Sequence, residues 1–381
     1  MLHREKRGDC VEAKADIGVI FGGPGPEHDV SVLTGLQAER CLTDNGTRAI
    51  GIYWSKGGDF YHVGAGREAT SFRDGVPAGS EPLFVGLGAE CGFQHRRRLG
   101  RPTPVPLRAV VVCCHGAPGE CGRLQGLLDL MGLPYTGPSQ AGAALGMDKL
   151  SFAAVAEQVG VSAIPRLDLA TADEPALRAL GQPLIVKPRY GGSSLGVELV
   201  DDLDSARALA RSSPLYLSGA LVEPFLKGWY DVNIALRTWP DGQLSAIERP
   251  IRRSGPLLSY QDKYVPDEGM AGAARELPAV LAREVAEAVA TQAATIMKAV
   301  AVRGVARLDF MTDGAQVLVN EINTIPGSLA RYLWITPEIP FITQLSDLIE
   351  EALARPAYQA VLAGADGRLL RSAASVAAKL A

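Results

Sequence analysis

From Val305 to Pro326 the chain reads Val-Ala-Arg-Leu-Asp-Phe-Met-Thr-Asp-Gly-Ala-Gln-Val-Leu-Val-Asn-Glu-Ile-Asn-Thr-Ile-Pro, two apolar runs that carry carboxylates and amides inside them. The pattern predicts two strands around an Asp313-Gly314 turn. Side chains alternate faces along a strand, so Arg307 and Asp309 share one face of the first strand, and Glu321 and Asn323 share one face of the second. Loop length decides whether those faces coincide. An odd-numbered loop such as Asp313-Gly314-Ala315 sets Arg307 opposite Glu321 with Asp309 one step along, whereas a two-residue loop throws the polar sets to opposite faces. Where they coincide, two carboxylates and an amide oxygen meet beside an arginine, which describes a hard-cation site next to an anion. Magnesium on nucleotide phosphates is one reading, and a buried Arg–Glu ion pair with an unrelated aspartate in the turn is the other.

Composition limits what surrounds this stretch. With 381 residues, 47% of them hydrophobic and 21% charged, the chain has material for two or three domains with cores of their own. A net charge of -4 and a pI near 5.8 argue against nucleic acid or an anionic membrane as partner. The sequence holds no apolar run of the ~18 residues that cross a bilayer, and the polar stretch His3 to Asp16 lacks a signal-peptide core. A cytoplasmic protein is expected. The six cysteines show no paired metal spacing and read as reduced core thiols.

Residues 16–140 read as alternating strand and helix. Ile17 to Phe21 is a buried-strand run, followed by the loop Gly22 to Pro26 and a helix from Glu27 to about Leu42. Further strands are expected at Arg48 to Trp54 and at Ala109 to Cys114, the latter ending in His115-Gly116-Ala117-Pro118-Gly119-Glu120. This order implies a parallel sheet with ligands at the strand carboxyl ends, where Glu27 and His115 lie. For either residue, a helix N-terminal role is the alternative.

The middle of the chain places a lysine inside an apolar strand, Pro183-Leu-Ile-Val-Lys187-Pro188, where it needs an anionic partner. Arg189-Tyr190-Gly191-Gly192-Ser193-Ser194-Leu195-Gly196 follows, and then a second strand from Val197 to Val200. This strand, loop, strand order differs from a P-loop. Its glycines permit close backbone approach and its hydroxyls can donate to phosphate oxygens, as a lid over a triphosphate would. Leu221 to Leu226 reads as an edge strand with Glu223 and backbone placed for an adenine edge.

The ordered set of Glu27 to Ser31, His115 to Glu120, Met147-Asp148-Lys149, Lys187-Pro188, Gly192-Ser193-Ser194, Glu223, Lys263-Tyr264, Arg307-Leu308-Asp309 and Glu321 to Gly327 resembles the D-alanine–D-alanine ligases of the ATP-grasp superfamily. The resemblance spans about residues 17–335. It implies an α/β ATP-grasp fold: an N-terminal parallel α/β domain (16–140) after a polar extension (1–15), then two α+β subdomains that sandwich ATP (141–226 and 227–354), with a mobile loop at 252–274 and a helical tail at 355–381. By the same resemblance Lys149, Lys187, Gly192, Ser193, Ser194 and Lys263 serve the ATP phosphates, Glu223 and the backbone to Leu226 the adenine, and Asp231 the ribose. Asp309, Glu321 and Asn323 would ligate two magnesium ions, or manganese. Glu27, Ser193 and Tyr264 match the trio that orients the first D-alanine and holds its lid, with His115 beside them. Arg307 and backbone amides near Gly327 would stabilise the tetrahedral intermediate.

The activity implied is ATP-dependent joining of two D-alanines through an acyl phosphate, for cell-wall precursor synthesis. Its partners are then small amino acids and ATP, with a homodimer as the expected assembly. The chain departs from the family pattern at Cys121, Gly191 and Pro224. Family members also place Ser followed by Leu or Met a few residues past Pro-Gly for the acceptor carboxylate. Here Gly327 runs directly into Ser328-Leu329-Ala330-Arg331-Tyr332-Leu333-Trp334, which makes Ser328 and Arg331 the candidates for that carboxylate. The alternative is a ligase with a different acceptor amino acid, although Lys263-Tyr264 is the pair of dipeptide-forming members.

Overall fold

The computed structural model describes residues 16–88, 91–95, 101–252, 274–300, 302–355 and 363–372. The expected lid pair Lys263 and Tyr264, with residues 253–273 of the loop, lies outside them, as do the extension 1–15 and much of the tail.

The N-terminal region opens with β1 (Asp16–Gly22), α1 (His28–Asp44) and β2 (Ala49–Trp54). It continues through β3 (Phe60–Val63), β4 (Glu81–Gly86), β5 (Gly92–His95), β6 (Thr103–Pro104) and β7 (Leu107–Val112). These form one sheet in the order β6-β5-β4-β3-β2-β1-β7. The expected parallel sheet is confined to one end, where β1 pairs with β2 and with the edge strand β7. From β2 outward the sheet is antiparallel, because a link as short as residues 55–59 closes a hairpin and cannot carry a crossover helix. β1 is buried along its length, as a strand flanked on both sides in a part of the sheet covered on both faces must be.

After α2 (Arg123–Leu130), α3 (Gln140–Met147) and α4 (Lys149–Gln158), β8 (Leu167–Asp168), β9 (Leu184–Pro188), β10 (Glu198–Val200) and β11 (Ala220–Pro224) form a second sheet, antiparallel throughout. A third sheet holds β12 (Tyr230–Arg237), β13 (Gln243–Pro250), β14 (Arg275–Glu276), β15 (Val305–Thr312) and β16 (Val317–Asn323), in the order β14-β13-β12-β15-β16. Its apolar face packs on α4 and on the helix Arg283–Ala299 through Phe152, Val289, Ile296, Leu308 and Phe310.

The chain then returns to its beginning. Ile325, Leu329, Leu333 and Trp334, with Leu345, Leu348 and Ile349 of the helix Phe341–Ala354, share the core of the N-terminal sheet with Val111, Leu124 and Leu128. The residues just after β16 are therefore held against the carboxyl ends of β1 and β7, so the third sheet and the first face a common space.

Candidate active site

The hairpin β15–β16 turns through four residues, 313–316, since Thr312 pairs with Val317. Asp313 closes this turn by accepting from the backbone N–H groups of Ala315 at 2.9 Å and Gln316 at 2.7 Å. An even loop alone would put Glu321 and Asn323 on the face opposite to Asp309. A β-bulge reverses that outcome: Phe310 pairs with Val319 but Asp309 pairs with Glu321, so Asn320 is the extra residue. Beyond it Arg307 lies opposite Asn323, rather than opposite Glu321 as a three-residue loop would have it. Arg307, Asp309, Glu321 and Asn323 thereby reach one face, and all four line the same cavity between the domains.

On that face the charges are paired. Arg307 grips Asp309 with two bonds, Nε to Oδ1 at 2.6 Å and Nη2 to Oδ2 at 2.8 Å, and Asn323 Nδ2 donates to the same Oδ2 at 3.1 Å. Lys149, the first residue of α4, lies 3.4 Å from Glu321 and donates to the Gly191 carbonyl. Glu223 and Lys187 sit diagonally across β11 and β9, where Leu221 faces Lys187 and Glu223 faces Ile185. Their side chains meet at 2.6 Å, Arg166 approaches the other Glu223 oxygen at 3.2 Å, and Lys187 also donates to Asn320 at 3.2 Å. Burial lowers the Lys187 pKa, against the field of Glu223. The Glu223 carboxylate is thus engaged by two cations. Asp231 is likewise engaged, by Arg252 at 2.7 Å.

The opposite wall comes from the N-terminal domain. Glu27 holds the N-cap position of α1 without making a capping bond, and its carboxylate instead accepts from Ser193 Oγ across the cavity. It fits there because it lies between two glycines: a Cβ on Gly116 would stand 2.1 Å from Glu27 Oε2, and one on Gly192 2.8 Å. Ser193 and Ser194 adopt φ of 53° and 58°, a left-handed conformation unfavourable for residues with a Cβ.

His115 bridges to the far end of the hairpin. Its Nδ1 lies 2.6 Å from the Ile325 carbonyl and its Nε2 2.8 Å from Thr34 Oγ1. A carbonyl only accepts, so Nδ1 carries the proton and Nε2 accepts from Thr34. Burial pushes the His115 pKa down to about 4, which keeps the ring neutral. Glu120 is buried beside it and accepts from the backbone of Ile325 at 2.7 Å and of Gly116 at 3.1 Å. Burial, and after it the Glu27 carboxylate, raise the Glu120 pKa to about 8 despite those donors.

Gly327 lines the cavity and starts a turn in which Ser328, Leu329 and Ala330 all have φ near +50°. This turn gives the two acceptor candidates different fates from those expected. The Ser328 N–H donates to Thr34 Oγ1 at 3.1 Å, and Ser328 does not line the cavity. Arg331 is exposed and stacks over Phe341, 5.5 Å from the ring centroid, so it faces away from the cavity. Tyr332 takes the inward position. Its hydroxyl lies 3.3 Å from Glu248, which also pairs with Arg275 at 3.2 Å and accepts from Asn233 at 3.2 Å.

The cavity therefore gathers Glu27, His115, Lys149, Lys187, Gly192, Ser193, Ser194, Glu223, Leu226, Asp231, Arg307, Asp309, Glu321, Asn323 and Gly327, expected from the sequence, with Glu120, Asn233, Glu248, Arg275, Asn320 and Tyr332, which the sequence did not assign to it. Glu248 had only a faint signal, a carboxylate directly after the apolar pair Ala246-Ile247 of β13. Asn320 had none, since a bulge position is not written in residue type.

The family model described as D-ala D-ala ligase N-terminus matches residues 16–138, and that described as D-ala D-ala ligase C-terminus matches residues 142–350. The chain is 33% identical to a D-alanine–D-alanine ligase of Nocardia farcinica over 89% of this chain and 97% of that one. It is 28% identical to one of Chlorobium limicola over 90% and 98%. Among solved structures, the D-alanine–D-alanine ligase of Coxiella burnetii superposes with a TM-score of 0.73 at 24% identity, covering 94% of this chain and 97% of that one. The VanG D-Ala:D-Ser ligase of Enterococcus faecalis gives 0.69 at 25%, covering 89% and 99%. The fold is ATP-grasp, and the chain belongs to the D-alanine–D-alanine ligase family.

Proposed function

We propose that this ligase joins two D-alanines at the expense of ATP and supplies a dipeptide for cell-wall synthesis in the cytoplasm, working as a homodimer. The observation that carries this reading is the meeting, in one cavity, of cations and oxygen donors on one wall with the Glu27–Ser193 bridge on the other. The carboxylate of the first D-alanine attacks the γ-phosphate, and Lys149 and Lys187 neutralise charge on the phosphates as the acyl phosphate forms. The amine of the second D-alanine then attacks the acyl carbonyl. Arg307 and the backbone near Gly327 stabilise the oxyanion, and phosphate leaves. The Gly192–Ser194 loop, fastened to Glu27, shields the acyl phosphate from water.

Asp309, Glu321 and Asn323 offer two carboxylates and an amide oxygen on one face, the hard-oxygen donor set that magnesium or manganese takes, and they would hold two ions. Bound there, the ions supply Lewis-acid stabilisation of the transferring phosphoryl group.

A second reading, a ligase with a different acceptor, is favoured by one observation. The turn at Ser328–Ala330 removes Ser328 and Arg331 from the cavity and gives that end to Tyr332, Glu248 and Arg275. Phosphate release from ATP with D- and L-amino acids, singly and in pairs, separates the two. D-alanine alone, yielding the dipeptide, is the expected substrate. Turnover only on addition of a second amine overturns it in favour of the other acceptor.

A further inference from the structure

Three side chains outside the cavity converge on the antiparallel part of the N-terminal sheet. β3, β4 and β5 are neighbours, and their register sets His62 opposite Glu81 and His95 opposite Leu83, two residues further along β4. Opposed residues project from the same face, as do residues two apart on one strand. His62, Glu81 and His95 therefore share a face with Phe60 and Leu83, which are buried. One donor atom from each of the three lies within 4.8 Å of the others.

Their local chemistry is incomplete without a further group. His95 Nδ1 approaches Glu81 Oε2 at 3.0 Å, but without hydrogen-bond alignment, and this buried nitrogen has no hydrogen-bond partner among the described residues. The His62 and His95 rings have centroids 5.3 Å apart and are inclined at 53°, so they are tilted together and not stacked. Protonation of His95 to pair with Glu81 would set a cation against the His62 ring. A shared electron-pair acceptor engages both rings in the neutral form.

We propose that His62, Glu81 and His95 bind a divalent transition-metal ion, Zn2+ foremost, with the fourth position open to water. Two imidazoles and a carboxylate are a donor set that zinc takes readily. Tetrahedral bonds of ~2.0–2.2 Å place donors roughly 3.3–3.6 Å apart. The Glu81–His95 pair, at 3.0 Å, needs to open by only a few tenths of an ångström, and the other separations, below 4.8 Å, are within reach of side-chain rotation with the strand register unchanged. The Glu81 side chain is 67% exposed and that of His95 26%, which gives the ion a path from solvent over the apolar floor of Phe60 and Leu83. An ion here ties three strands at the end of the sheet, so its effect is on stability of the N-terminal domain and not on the cavity.

The test uses the full chain stripped with a chelator, held in excess Mg2+ to occupy the carboxylates of the cavity, and titrated with Zn2+ against a chromophoric competitor. Wild type is expected to bind one equivalent that His62→Ala and His95→Ala lose, and Glu81→Gln is expected to weaken it by at least about tenfold. Glu81 is exposed, so that variant keeps the fold, verified by circular dichroism. Zn2+ should also raise the unfolding temperature of wild type and leave that of His62→Ala unchanged. No Zn2+ bound by wild type at micromolar concentration overturns the proposal, and so does equal stoichiometry in the His62→Ala/His95→Ala double variant.

Discussion

The two walls of the cavity handle buried polarity in opposite ways. On the wall built from β9, β11, β15 and β16, ionic side chains face one another in pairs: Arg307 with Asp309, Lys149 with Glu321, and Lys187 and Arg166 with Glu223. On the N-terminal wall, burial drives His115 and Glu120 toward their neutral forms, and hydroxyls and backbone groups hold them. Strand geometry accounts for the difference. Positions two apart on one strand, as with Arg307 and Asp309, and diagonal positions on paired strands, as with Lys187 and Glu223, bring opposite charges within reach, while strand ends and helix starts present backbone donors and acceptors to His115 and Glu120. One wall pairs its charges; the other keeps shape and hydrogen-bond direction.

The largest expected effect breaks the charged wall at its centre. Asp309→Ala removes a proposed metal ligand and strips Arg307 of its bidentate partner, so phosphate release should fall by about 10³-fold or more. Stability should fall by about 3–5 kcal/mol in urea unfolding, the usual consequence of leaving a buried charge without its partner. Asp309→Asn retains an oxygen for Arg307 and should lose the turnover with a smaller stability change. Equal stability of the two variants would show that Arg307 does not depend on Asp309.

Next in size is the Glu223 cluster, where one anion serves two cations. Glu223→Gln leaves Lys187 and Arg166 buried together and should lower stability by about 3–5 kcal/mol. Lys187→Met leaves Glu223 paired with Arg166 and should lower it by less than half as much, although it removes a charge proposed to face phosphate. The reverse order of stabilities would mean that Arg166, at 3.2 Å, contributes nothing to holding Glu223.

The neutral wall makes predictions of opposite sign in pH. Glu120 has its pKa raised from the ordinary 4.5 to about 8, so the folded state binds the proton more tightly. Its contribution is full below about 4.5 and is lost as pH rises through about 8. His115 is depressed from 6.5 to about 4, so its contribution is full above 6.5 and is lost as pH falls through about 4. Relative to Glu120→Gln, wild type should therefore lose stability as pH climbs from 4.5 to 8. The loss is a few kcal/mol at most, because each tenfold difference in proton affinity between the folded and unfolded chain is worth roughly 1.4 kcal/mol. Relative to His115→Gln, wild type should lose stability on acidification from 6.5 to 4. Chemical denaturation across that range reads both, and slopes of the same sign would abolish the contrast between the walls.

The charged wall is the more legible of the two in the sequence. Carboxylates and lysines inside apolar runs at Lys187, Asp309 and Glu321 violate the expectation for a core, and the violation marks the site. The convergence itself is not legible, because it needs both the four-residue turn and the bulge at Asn320, each of which alone would misplace Glu321. The N-terminal sheet follows the sequence pattern at β1, β2 and β7, whose apolar runs alternate with helices. It departs from that pattern beyond β2, where short strands without crossover helices give hairpins. The acceptor end is the least legible. Ser328, Leu329 and Ala330 take a left-handed turn with no glycine to announce it, and one reversed turn suffices to send Arg331 outward and Tyr332 inward.

The smallest expected effect lies at the other left-handed segment, where the two walls meet. Ser193 and Ser194 have nearly equal φ, 53° and 58°, but only Ser193 is seen bonded to Glu27. A left-handed residue with a Cβ costs about 1–2 kcal/mol, and glycine escapes that while losing roughly 0.5–1 kcal/mol to its freer unfolded chain. Ser194→Gly should accordingly stabilise the protein by up to about 1 kcal/mol. Ser193→Gly gains the same backbone relief but gives up a buried bond to a carboxylate worth about 1.5–3 kcal/mol, so it should end up destabilised by roughly 1 kcal/mol. The gap between the two variants in urea unfolding reads what the Ser193 hydroxyl contributes to fastening the glycine-rich loop to the N-terminal wall. Equal shifts would mean that the loop is held by its lysine-bound carbonyl at Gly191 and that the Glu27 bridge adds nothing to the fold.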